Sequence, residues 1–150
     1  MNTFVVLLVM TKKTSNGQTG KRSGWKKGFE VCDTAPPYFE LLVKKFQDAP
    51  LPKFKSNVKS ATCSEKEGLV FYYSNHCPFM EPWIHRISKY SENKGFKTKA
   101  IEILNKTEAQ NAPSPFSTCS IFYNGRFLTH ELAVESKFDK YLETLKNKRN

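Results

Sequence analysis

The chain has 150 residues, enough for one ordinary domain or two small units. With 39% apolar and 25% charged residues, it is neither low-complexity nor disordered as a whole. The net charge of +10 is uneven: residues 1–60 carry 11 Lys/Arg against 4 Asp/Glu, residues 61–150 carry 13 against 10. No RNP-like motif, zinc finger or recognition helix accompanies that charge, so it reads as a lysine-rich solvated surface rather than a nucleic-acid interface.

The apolar run Phe4–Met10 is too short to span a bilayer. No positive charge precedes it and no small-residue cleavage site follows closely, so it reads as a buried strand, not a signal peptide. Thr11–Gly28 is polar, holds four glycines and reads as loop or poor helix. Phe29–Thr34 reads as a strand, Ala35-Pro36-Pro37 as a turn, and Tyr38–Phe46 as a further strand or a short helix. Residues 48–66, with Pro50, Pro52 and several lysines, read as an exposed linker.

A denser pattern begins at residue 67. Leu69–Ser74 predicts a strand. Phe79, Trp83, Ile84, Ile87 and Tyr90 give one apolar face to a helix over Phe79–Tyr90, with Pro78 at its first position and Asn93-Lys94-Gly95 as its stop. Phe96–Leu104 predicts a strand and Lys106–Gln110 a short helical turn. Thr118–Tyr123 and Arg126–Glu131 flank Asn124-Gly125, a strong hairpin signal. Phe138, Tyr141, Leu142 and Leu145 recur at i, i+3, i+4, i+7 on a last helix. The order is β-α-β-α-β-β-α. The helical crossover predicts a parallel first pair, the Asn-Gly turn an antiparallel second pair. This arrangement resembles the thioredoxin-like topology. Phe71, Tyr73, Trp83, Phe122 and Phe138 are its candidate core.

Cysteines stand at 32, 63, 77 and 119, without C-x-x-C or zinc-finger spacing to His76, His85 or His130. They read as thiols of a reducing, cytoplasmic compartment, and no metal site is expected. Cys77 is the candidate reactive residue, because a strand delivers Cys77-Pro78 to the start of a helix. Unpaired N–H groups there favour a thiolate. It is either a monothiol that forms mixed disulfides or an idle residue of a packing or binding module. Met80 occupies the place of a resolving cysteine, so Cys77 would exchange with glutathione, another protein or Cys119. Cys119 reads as a small core residue, with Ser117 rather than proline before its strand. His76 reads as a base for Cys77 or an exposed turn histidine, His85 and His130 as surface residues. Lys21, Arg22, Lys26 and Lys27 belong to a basic cluster that either contacts coenzyme phosphates or is a solvated loop.

Two segments carry a more specific resemblance, Gly68–Phe79 (GLVFYYSNHCPF) and Thr107–Leu132 (TEAQNAPSPFSTCSIFYNGRFLTHEL). Over roughly residues 53–146 the chain resembles the YoaP-type domain found at the C-terminal end of some GNAT-superfamily acetyltransferases. Upstream, Lys26–Phe46 (KKGFEVCDTAPPYFELLVKKF) resembles the closing strands of a GNAT core, with Gly28-Phe29 opening its final hairpin and Phe4–Met10 as the preceding strand. The resemblance implies an α/β fold, with a partial GNAT-like strand segment at 1–47, a linker at 48–66 and a thioredoxin-like domain at 67–146. It also implies acetyl-CoA as cofactor and an amine as acceptor. The family's Q/R-x-x-G-x-G/A coenzyme loop has no match, since Gln18–Gly24 departs from the spacing, and no tyrosine precedes Gly28-Phe29. The chain is thus expected to lack competence alone. A missing N-terminal GNAT portion, or self-association through open strand edges, is expected as its partner.

Overall fold

A computed structural model describes residues 4–10 and 28–148. Contacts divide the chain into two compact units, one up to Ala61 and one from Thr62.

In the first unit, β1 (Phe4–Met10), β2 (Glu30–Ala35) and β3 (Phe39–Lys45) form an antiparallel sheet in the order β1-β3-β2. Tyr38–Phe46 thus resolves to strand rather than helix, as its apolar, β-branched centre favours. Phe39 and Val43 of this central strand are almost wholly buried. The register of β2 on β3 slips between Val31 and Asp33, so Cys32 bulges and Asp33 is re-aimed. The Asp33 carboxylate accepts from Phe54 N (2.8 Å), Thr34 N (2.9 Å) and Lys59 Nζ (2.8 Å). The segment after β3 therefore returns to β2 and contains a four-residue helix, α1 (Ser56–Lys59).

In the second unit the order is β4 (Leu69–Tyr73), α2 (Met80–Asn93), β5 (Thr98–Glu102), α3 (Lys106–Asn111), β6 (Cys119–Tyr123), β7 (Arg126–Thr129) and α4 (Glu135–Asn147). The predicted β-α-β-α-β-β-α order holds. The sheet runs β5-β4-β6-β7, with β4 and β5 parallel across the α2 crossover and the other pairs antiparallel. Alternation along β4 sorts its side chains. Leu69, Phe71 and Tyr73 pack with Met80, Ile84 and Ile87 of α2 and Phe138, Leu142 and Leu145 of α4. Val70 and Tyr72 pack with Cys63, Ile101, Phe122 and Phe127 on the other face. Trp83, expected in the core, is half-buried and donates its Nε1 proton to Ala133 O (3.2 Å).

The predicted β5 shortens at both ends, to Thr98–Glu102: Phe96 turns into the core instead of joining the ladder, and Ile103, just past the strand, still donates its N–H to Tyr73 O of β4 (2.6 Å). At the hairpin, Asn124 and Gly125 both take positive φ (47° and 80°), the geometry a two-residue turn needs to match strand twist. The Asn124 amide also clamps the start of β4: its Oδ1 accepts from Gly68 N and its own N donates to Gly68 O, both at 2.9 Å. Gly68 has φ +75° and lies so close to Lys97 that a Cβ would fall 2.5 Å from the Lys97 carbonyl oxygen.

One polar clasp joins α2 to α4. Tyr90 donates its hydroxyl proton to Asp139 Oδ2 (2.5 Å), and Lys94 pairs with Asp139 Oδ1 (3.3 Å). The Tyr90 hydrogen bond first, then Lys94, hold the Asp139 carboxyl below its usual value. A carboxyl depressed in the folded state contributes stability that is complete above its unfolded pKa, about 3.9, and is lost as pH falls through the folded value. Asp139→Asn is therefore expected to lower stability at neutral pH, with the gap to the parent closing on acidification below about pH 4. Urea unfolding at neutral and acid pH measures both. A gap that persists undiminished in acid would contradict the clasp.

Candidate functional site

β4 ends at Tyr73, and the chain then turns through Ser74–Phe79 before α2 begins at Met80. Because β4 and β5 are parallel and β7 runs back alongside β6, four connections meet at this end of the sheet: residues 74–79, 103–105, 112–118 and 130–134. They are tied to one another. Ser74 N donates to Thr118 O (3.2 Å), Asn75 Nδ2 to Glu102 Oε1 (2.8 Å), and the Phe116 and His130 rings meet edge to face at 5.1 Å.

Cys77 is a partly buried free thiol in the first of these connections. Its carbonyl oxygen accepts from Met80 N (3.0 Å), which closes a turn ahead of the helix. Phe79, with φ −86° and ψ −6°, is the cap residue, and its carbonyl accepts from Trp83 N (3.2 Å). The helix thus starts at Met80 rather than at Pro78, and Cys77 stands two residues before the cap. Among the described residues no hydrogen bond reaches Cys77 Sγ. His76 is exposed, and its Nδ1 lies 2.7 Å from the buried Ser74 Oγ, which fixes the imidazole to the end of β4.

Cys119 opens β6 directly opposite Tyr73 and is fully buried. Burial pushes its thiol up to about 12, which leaves almost no thiolate at neutral pH. The core reading of Cys119 holds, and Cys119 is poorly suited to resolve a Cys77 disulfide. The one cis peptide among the described residues is Pro36–Pro37, so the Ser114–Pro115 bond ahead of β6 is trans.

His85 lies on α2 beside a cleft of about 540 Å³ between α2 and β5, which Tyr73, Glu81, Ser88 and Ala100 also line. Burial first, then the Glu102 and Glu81 carboxylates, raise the Tyr73 phenol above its usual value. Ser88 Oγ is buried there without a hydrogen-bond partner. Among the described residues no trio of His, Cys, Asp or Glu is arranged to hold a metal ion, and no helix is long and apolar enough to cross a membrane. Lys21, Arg22, Lys26 and Lys27 lie outside the described residues.

Ser74, Asn75 and Glu102, which shape the Cys77 turn, carry no signal in the sequence. They are brought together by the parallel register that sets Tyr73 against Glu102. The capping of α3 was more accessible: Asn105 Oδ1 accepts from Glu108 N (3.0 Å) and Glu108 Oε1 accepts from Asn105 Nδ2 (2.7 Å), the pattern that an Asn followed three residues later by Glu announces.

Native-state alkylation is expected to modify Cys77 first and leave Cys119 protected until the chain unfolds. Peptide mapping after a timed pulse of iodoacetamide reads the order. Equal labelling of Cys119 and Cys77 in the folded protein would contradict the buried placement.

Residues 98–140, from β5 into α4, match the family model described as YoaP-like. The chain is 41% identical over 119 residues, 79% of its length, to the "Uncharacterized N-acetyltransferase YoaP" of Bacillus subtilis (strain 168). It spans about half of that relative, 47% of its length. No solved structure matches the chain significantly. The matched segment contains β5, α3, the β6–β7 hairpin and the first turn of α4, and on this evidence the chain carries a YoaP-type domain.

Proposed function

We propose that the chain is the C-terminal part of a GNAT-family N-acetyltransferase, which moves an acetyl group from acetyl-CoA to an amine. The observation that carries this reading is the 41% identity, over most of the chain, to a relative named as an N-acetyltransferase. The first unit supports it: an antiparallel β1-β3-β2 sheet is what the closing strands of such a core would form. The second unit, with its β5-β4-β6-β7 order, is the thioredoxin-like accessory domain of this reading.

The described residues offer no coenzyme cradle. The first unit's helix there is α1, only four residues long, and the sequence contains no Q/R-x-x-G-x-G/A run. Lys21, Arg22, Lys26 and Lys27 have the right chemistry for coenzyme phosphates, and we assign them that contact and no step of the transfer. The chain alone is not competent in this reading. Its partner is either the remaining portion of the core or a second copy, pairing with an edge strand of the first sheet. A cytoplasmic location fits four free thiols.

Titration calorimetry with acetyl-CoA tests the coenzyme contact. Saturable binding is expected, weakened at least about tenfold when Lys21, Arg22, Lys26 and Lys27 are all replaced by alanine, since each lost charge-assisted contact is worth roughly 1.5–3 kcal/mol at most. Absence of binding would reduce the acetyltransferase relation to ancestry. Rapid acetylation of amines by the isolated chain would overturn the dependence on a partner.

A second reading rests on the partly exposed Cys77 at the turn before α2: a monothiol that attacks a disulfide such as oxidised glutathione, leaving protein and glutathione joined and one glutathione thiolate released. Cys77→Ser is expected to abolish that adduct in intact-mass spectra. An adduct of equal yield in the variant would remove Cys77 from the reaction, and the domain would then serve as an interaction module.

A further inference from the structure

The second unit has four exposed large apolar side chains among its described residues: Phe79 (78% exposed), Leu104 (71%), Val134 (63%) and Leu132 (52%). Scattered apolar side chains are ordinary on any surface. These are not scattered. All four stand in the connections at the Cys77 end of the sheet, after β4, after β5 and after β7. The opposite end shows none and carries the Asn124-Gly125 turn and the Glu67–Lys97 ion pair (2.7 Å).

The charge at the Cys77 end runs against that of the molecule. In the four connections, the end of β5 and the first turns of the helices that follow, the ionised groups are Glu81, Glu102, Glu108, Glu131 and Glu135 against Lys106 and Lys137. Lys137 is held by Glu131 (2.7 Å), and Arg86, a turn further along α2, pairs with Glu135 (3.5 Å). A chain of net charge +10 thus presents one acidic end, studded with apolar side chains. Apolar anchors within a charged rim are the composition of a protein-docking surface, and the sign of the rim selects the partner.

We propose that the Cys77 end of this unit docks a cationic amphipathic polypeptide segment. Its apolar side chains would cover Phe79, Leu104, Leu132 and Val134, and its lysines or arginines would meet the surrounding carboxylates. A flat or acidic partner gains nothing from this arrangement, and a second copy of the chain would bring the same acidic rim against itself. The inference is independent of acetyl transfer, since it rests on exposure and charge in the second unit alone.

The test is fluorescence anisotropy of the full chain with a labelled Leu/Lys amphipathic peptide, its Leu/Glu counterpart and oligolysine of equal length. The Leu/Lys peptide is expected to bind at least about tenfold more tightly than either control, with affinity falling as salt rises. Phe79→Ser/Leu104→Ser is expected to lose at least about tenfold, with an unchanged melting curve because both side chains are exposed. Glu81→Lys is expected to weaken binding without touching the apolar anchors. Amide shifts on titration should fall near residues 75–80, 103–105 and 130–135, not near Gly68 and Gly95. Equal binding of the Leu/Glu peptide, undiminished binding by the double variant, or dimerisation of the chain through Phe79 and Leu104 would each overturn the proposal.

Discussion

The second unit depends on one strand that is buried on both faces. Leu69, Val70 and Phe71 of β4 are fully inaccessible, with α2 and α4 on one side and Cys63, Ile101, Phe122 and Phe127 on the other. Burying such side chains contributes roughly 1.5–3 kcal/mol each. It also fixes register, because a slip of one residue would exchange the two faces. Parallel pairing with β5 and antiparallel pairing with β6 then follow, and with them the convergence of four connections beyond Tyr73. The opposite end is closed by turns: Asn124 grips Gly68 through two hydrogen bonds, and Gly68 fits only because it lacks a Cβ. One end is spent on locking the fold, which leaves the other free for chemistry or contact.

That division explains how much could be read in advance. Apolar spacing identified α2 and α4, the Asn-Gly pair identified the hairpin, and the crossover gave the parallel pair. The first two are local signals, each contained in a dozen residues or fewer, and the crossover follows from the order of the elements. Features set by distant partners were not legible. Phe96 leaves its strand for the core, where the Tyr123 ring meets it edge to face at 6.0 Å. Asp33 gathers three donors only because a bulge at Cys32 re-aims it. In each case a tertiary contact outranks the local preference that the residues would otherwise express.

The two cysteines nearest the end of β4 show the same logic in chemical form. Cys119 is one register position from solvent-facing loops, yet it belongs to the core and its thiol is pushed far from ionisation. Cys77 is four residues beyond β4 and partly accessible, in a turn shaped by Ser74, Asn75 and Glu102. The second unit thus separates a structural thiol from an available one by a single strand end. Around the available thiol the surface changes from basic to acidic and from polar to apolar.

Native-state amide hydrogen exchange tests the central claim most directly, that a doubly buried β4 holds a rigid sheet from which the Cys77 end projects as the working surface. The account predicts that amides of β4 and β6 exchange only through global unfolding, while residues 74–79 and 130–134 exchange through local opening and are slowed when a partner binds. Exchange of β4 amides as fast as those of the hairpin edge β7 would contradict it.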